Sequence, residues 1–242
     1  MRILFLLLMF TIVMGCNKED NKTTTKLDLV LELRYDGSPV SGPQRWYAIN
    51  DSVEMQFSKV SFYLSDFKLQ NESESLDMVD VLHVSFLQNT SGDVVRETEQ
   101  TLRFEVPSGD YSSLSFGLGL TAAQNATLPA NHEAGSAMSL TSEYWPAWQS
   151  YIFTKIEGNF KLHDSSPGAS TLHTGGNDTY RILEWNDGLS FRGGEVREII
   201  IPIDLKEILK DYPLTEAPRL HQLEQLPYMN TIADGFLESM VN

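Results

Sequence analysis

Leucine alternates with other residues along Leu27-Asp-Leu-Val-Leu-Glu-Leu-Arg-Tyr35, so that Leu27, Leu29, Leu31 and Leu33 share one face. A period of two predicts a strand with one buried side. Apolar-rich strand segments recur at residues 60–69, 79–87, 102–106, 111–120, 151–162, 180–185 and 195–204. Pro107-Ser-Gly-Asp110 separates two of them with turn-forming residues. The strand at 195–204 enters a short helix at 205–210. Near the end the period changes. Ile232, Ala233, Phe236, Leu237 and Met240 fall at helical spacing and predict a helix over residues 229–240. Residues 37–44, 70–77, 122–141 and 164–177 read as loops, and there is no internal repeat. Many short strands broken by turns predict a mostly β chain: an antiparallel β-sandwich with a short C-terminal helix.

The N-terminus has a different pattern. Arg2 precedes an apolar run from Ile3 to Val13, and Val13-Met-Gly-Cys16 follows. The run is too short for a mature membrane-spanning helix. It reads as a signal peptide over residues 1–15, with a lipobox that would leave Cys16 as the lipidated first residue. Residues 16–26 then form the lipidated cysteine and a flexible tether, and residues 27–242 one domain. Cys16 is the only cysteine, which excludes an internal disulfide, a CxxC pair and a thiolate metal cluster. Acyl chains on Cys16 would make the membrane a partner of the protein.

The 242 residues include 18 basic and 33 acidic side chains, a net charge of −15. Removal of residues 1–15 takes away Arg2 alone and leaves −16. Such a surface repels nucleic acid. No GxSxG, HExxH, P-loop or GxGxxG pattern is present, so the expected role is not enzymatic.

Two segments hold the candidate chemistry. Residues 143–158 place Tyr144, Trp145, Trp148, Tyr151 and Phe153 close together at the start of a strand. Leu172-His-Thr-Gly-Gly176 places one of five histidines before two glycines. Tyr144, Trp145 and Trp148 are either apolar anchors over one end of the sandwich or a ligand-binding aromatic rim. His173 is either a ligand or a histidine that caps a turn.

Several segments, in order, resemble the MbnP-like family, found in outer-membrane-associated lipoproteins and named for a methanobactin-linked periplasmic copper protein. They are residues 62–69, 106–119, 144–158, 172–176 and 232–240, with Asn125 at its usual remove. The chain departs from the family pattern at Pro146, at Gln149-Ser150 in place of Asn-Ser-Gly, and in residues 27–36, which lack the histidine often found there. The resemblance implies a bacterial lipoprotein of Bacteroidota type and copper as the ligand. An acidic cluster, Glu19-Asp20, follows the cysteine and resembles the export signal to the cell surface. The implied location is the outer membrane, facing the periplasm or the cell surface, and the implied partner a haem-peroxidase-like protein or a transporter. Copper prefers imidazole and soft sulfur. His173 is the first candidate ligand, and His163 and His132 are further ones. His83 reads as packed within a strand, and His221 has no evident partner. The reading is a lipid-anchored, non-catalytic envelope protein that binds copper. The alternative is a surface lipoprotein that binds a glycan or a protein through the aromatic rim without metal.

Overall fold

The alternating leucines form the middle of the first strand, β1 (Thr24–Tyr35). Leu27, Leu29, Leu31 and Leu33 are all fully buried, on the face expected. The computed structural model describes residues 23–41, 45–86, 88–90, 93–95, 98–163 and 165–241. Cys16, the signal segment and most of the tether lie outside the described residues. No helix among the described residues is long and apolar enough to cross a membrane, which leaves strands untested.

Eight further long strands follow: β2 (Val53–Gln70), β3 (Ser75–Phe86), β4 (Glu99–Pro107), β5 (Ser113–Leu118), β6 (Ser150–Leu162), β7 (Gly168–Gly175), β8 (Arg181–Trp185) and β9 (Val196–Asp204). One sheet centres on β1, with β4 antiparallel on one side and β9 parallel on the other. The second sheet is built on β2. β3 pairs along one edge of β2, and β6 and β5 share the other edge. β7 extends from β6, and β8 from β5. The expected antiparallel order therefore needs one correction. β1 with β9, and β7 with the two-residue strand Arg219–Leu220, run parallel, so the sheets are mixed. Alternation of side chains marks the faces of a strand and says nothing of its direction.

The inner faces of both sheets form the main core, from Leu29 and Ile201 on one side to Phe62 and Ile156 on the other. The C-terminal helix, Leu226–Val241, closes it. Met229, Ile232, Ala233, Phe236 and Met240 point inward, and the Phe236 ring lies 5.5 Å from that of Phe62.

A second cluster lies on the outer face of the β2–β6 sheet: Tyr63, Leu120, Met138, Tyr151 and Phe153. The segment read as a loop at 122–141 is folded down onto it as short helical turns. Tyr63 donates to the Ala137 carbonyl at 3.0 Å and Tyr151 to that of Met138 at 2.8 Å. These two bonds deliver Glu143 and the aromatic segment onto the sheet.

Candidate functional site at the histidine pair

β6 and β7 form a hairpin in which Lys155 faces His173 and Glu157 faces Thr171. Residues directly opposite in an antiparallel pair share a face. All four therefore project from the outer face, and the side chain of Glu157 reaches back one pair to His173. Glu157 Oε1 lies 2.9 Å from His173 Nε2. His173 is 8% exposed, and its other ring nitrogen, Nδ1, is buried with no hydrogen-bond partner.

The aromatic segment folds over this edge. The short strand Tyr144–Trp145 pairs with Tyr151 and Ser150. The turn between is closed by Trp148 N to Trp145 O at 3.0 Å and Gln149 N to Pro146 O at 3.1 Å. Gln149 takes a left-handed φ of 51° to complete it. The Trp145 and Trp148 rings stack at 4.8 Å and 11°. Trp148 can seat here because position 175 is glycine: a Cβ there would stand 3.0 Å from the indole and 2.7 Å from the Tyr151 carbonyl. Gly176 follows with φ 81°, a conformation that favours glycine. The two glycines thus serve backbone approach and turning beside His173.

His221 completes the group. The strand Arg219–Leu220 runs beside Thr171 and Leu172 and sets the next residue against His173. The two imidazole centroids are 5.6 Å apart with planes at 24°. His221 Nε2 lies 2.7 Å from Thr171 Oγ1, and its carbonyl accepts from Trp148 Nε1 at 3.1 Å. The Trp145 ring lies 5.1 Å from His221 and 6.1 Å from His173. Desolvation of the ring, His173 and the positive charge of Arg219 hold the His221 pKa below its ordinary value. The hydrogen bond from His173 holds the Glu157 carboxyl low, against the opposing effect of burial.

A charged layer continues under the covering segment. Glu143 and Lys155, 3% and 5% exposed, pair at 2.8 Å. Lys155 Nζ also donates to the Ser142 carbonyl at 2.8 Å, and Lys59 stands 3.6 Å from Glu143. His83 Nε2 lies 3.9 Å from Glu143, buried and without a hydrogen bond. Burial lowers the pKa of His83 and outweighs the attraction of Glu143.

The other candidate ligands are not brought to this place. His163 sits at the far end of β6, where its Nε2 is 2.7 Å from the Asp51 carbonyl. Eight residues of strand separate it from Lys155, a span of roughly 26 Å. His132 Nε2 is 2.7 Å from Thr127 Oγ1 in the covering segment. The absent histidine of residues 27–36 would belong to the other sheet, since that segment covers most of β1. His221, which showed no partner along the chain, is the one that meets His173.

The chain matches the MbnP family over residues 24–223, most of its length. It belongs to the MbnP family. No curated protein and no solved structure matches it.

Whether these residues suit the copper associated with MbnP can be tested on the donor atoms. Among the described residues no group of three or more His, Cys, Asp or Glu is arranged to hold a metal. What is present is a pair of imidazoles. His173 Nε2 is held by Glu157 and His221 Nε2 by Thr171. That is the outer-shell arrangement that orients a metal-binding histidine through its second nitrogen. His173 Nδ1 is the buried orphan such a ligand leaves. The pair supplies two imidazole donors, with centroids 5.6 Å apart, and that donor chemistry suits copper with few protein ligands.

Proposed function

We propose that this MbnP-family protein is a lipid-anchored, non-catalytic protein of the cell envelope that binds copper through His173 and His221. The observation that carries the reading is the buried, unpartnered Nδ1 of His173, with Nε2 held by Glu157 and a second imidazole stacked beside it. Imidazole nitrogens suit copper, and only the neutral ring can ligate. The depressed pKa of His221 keeps that ring neutral at physiological pH. Two imidazoles without a third protein donor favour monovalent copper, which accepts low coordination, over divalent ions that require more ligands. The bound ion would supply a soft, positively charged centre against Trp145. Glu157 and Thr171 orient the rings, and Trp145 packs against both, with His173 buried and His221 exposed. Trp148, 7% exposed, is committed to this packing.

The test is retention of Cu(I) by the purified protein against a chromophoric chelator. One equivalent retained, lost in His173→Ala and in His221→Ala but kept in His163→Ala and His132→Ala, is the expected result. No retained copper, or retention unaffected by both of the first two substitutions, overturns the proposal. Anchoring through Cys16 is tested separately. Cys16→Ser should move the protein from the detergent phase to the aqueous phase.

A further inference from the structure

Tyr144 and Trp145 are consecutive in a strand and point to opposite sides. Trp145 faces the histidines. Tyr144, Pro146 and Gln149 line a separate cavity of about 710 Å³, completed by Asn125, Leu128 and Asn177 among others. No charged side chain lines it, although about a fifth of the chain is charged and the net charge is −15. Without a cation it has no partner for a phosphate or carboxylate, and without a carboxylate none for a metal or an amine.

What lines it is a mixture of flat apolar surface and free amides. Leu128 is 49% exposed and offers an apolar side chain to the cavity. Asn125 is buried. It takes the Tyr151 N–H at 2.9 Å and the Ser150 hydroxyl at 3.0 Å, and it donates to Asn177 Oδ1 at 3.0 Å. That last bond fixes the Asn177 amide and leaves its NH₂ group without a hydrogen bond among the described residues. The Gln149 side chain has none either. Its backbone is held left-handed by the tight turn, and unusual backbone of this kind gathers at binding sites. The wall opposite is braced by the reciprocal bonds of Thr121 and Gln124.

We propose that this cavity binds a neutral sugar of one or two rings. A pyranose offers an apolar ring face to Tyr144, Pro146 and Leu128, and hydroxyls that both donate and accept to Gln149 and Asn177. The volume lies within the roughly 300–1,000 Å³ of small-molecule sites. An extended peptide would instead look for a run of free backbone N–H and C=O groups, and the polar groups here are side-chain amides. The site is independent of the histidine pair.

The experiment is ligand-observed NMR on the metal-free protein with maltose, cellobiose and diacetylchitobiose. Digalacturonate and trialanine serve as the charged and peptidic comparators. At least one neutral disaccharide should bind with a Kd in the millimolar range, about the affinity of a few neutral hydrogen bonds and one apolar face. Gln149→Ala and Leu128→Ala, both exposed positions, should each weaken it about fivefold, the effect of one neutral hydrogen bond or a modest apolar contact. His173→Ala should leave it unchanged, so failure of the copper reading and failure of this one are distinguishable. The proposal is overturned if no neutral disaccharide binds at about 20 mM, far above that Kd. It is equally overturned if digalacturonate or trialanine binds in their place, or if the sugar affinity is unchanged in both variants.

Discussion

Lys155→Met should destabilise the protein severely, and by an amount that shrinks in acid. In the wild type Glu143 lies almost wholly buried against Lys155 at 2.8 Å. Removing one partner of a buried pair leaves an uncompensated charge and typically costs about 3–5 kcal/mol. Lys59 remains 3.6 Å from Glu143 and is partly exposed, so the lower end applies, about 3 kcal/mol. For a domain of this size that is a fall in Tm of roughly 6–12 °C. The sign of the pH dependence follows from Glu143. Burial alone would raise its pKa, but the hydrogen bond and charge of Lys155, with the charge of Lys59, hold it below the ordinary 4.5. In the wild type its contribution is therefore present above pH 4.5 and lost as pH falls through the depressed folded value. Without Lys155 the burial effect dominates and the folded pKa rises. The variant then gains stability relative to wild type as protonation neutralises the buried carboxyl. Urea unfolding at neutral pH and near pH 4.5 measures both terms. Glu143→Gln combined with Lys155→Met should recover part of the loss at neutral pH, because the stranded charge is gone. A loss under about 1 kcal/mol, the scale of an exposed pair, would refute the reasoning. So would a loss of equal size at both pH values.

Gly175→Ala forces a Cβ to within 2.7 Å of the Tyr151 carbonyl and 3.0 Å of the Trp148 ring. It should cost about 1–3 kcal/mol, seen in urea unfolding, and shift the tryptophan emission to the red as Trp148 is pushed toward water. Phe236→Ala empties a fully buried position facing Phe62 and should cost about 3–5 kcal/mol by the same measurement. Glu157→Gln removes the carboxylate that holds His173 Nε2. Chelator competition should show copper affinity about 10–100-fold weaker with the fold intact, the usual effect of losing such an orienting partner.

How much of this was legible along the chain depends on how far apart the interacting residues lie. The leucine face of β1 and the inward positions of the C-terminal helix follow from local periodicity, and both hold. The parallel pairing of β1 with β9 joins residues about 170 positions apart, and no local pattern encodes it. The same limit hid His221. It meets His173 only because two residues, Arg219 and Leu220, run beside Thr171 and Leu172. Nothing local marks Glu143 and Lys155 as a buried pair; the Tyr63 and Tyr151 hydroxyls fasten the covering segment over them. His163 is a different case, decided by the register of one hairpin. Paired residues of an antiparallel hairpin lie equidistant from its turn. Lys155 faces His173 and Phe160 faces Gly168, so both pairs centre on position 164. His163 is thus at the tip of the hairpin, and shortening the loop would carry it no nearer to His173. A site shared by those two histidines would have required the hairpin itself to be absent. The segment 164–177, read along the chain as a loop, concealed that hairpin, because most of it is the strand β7. The pair that the fold does make has its second imidazole outside the hairpin, on a strand too short to announce itself.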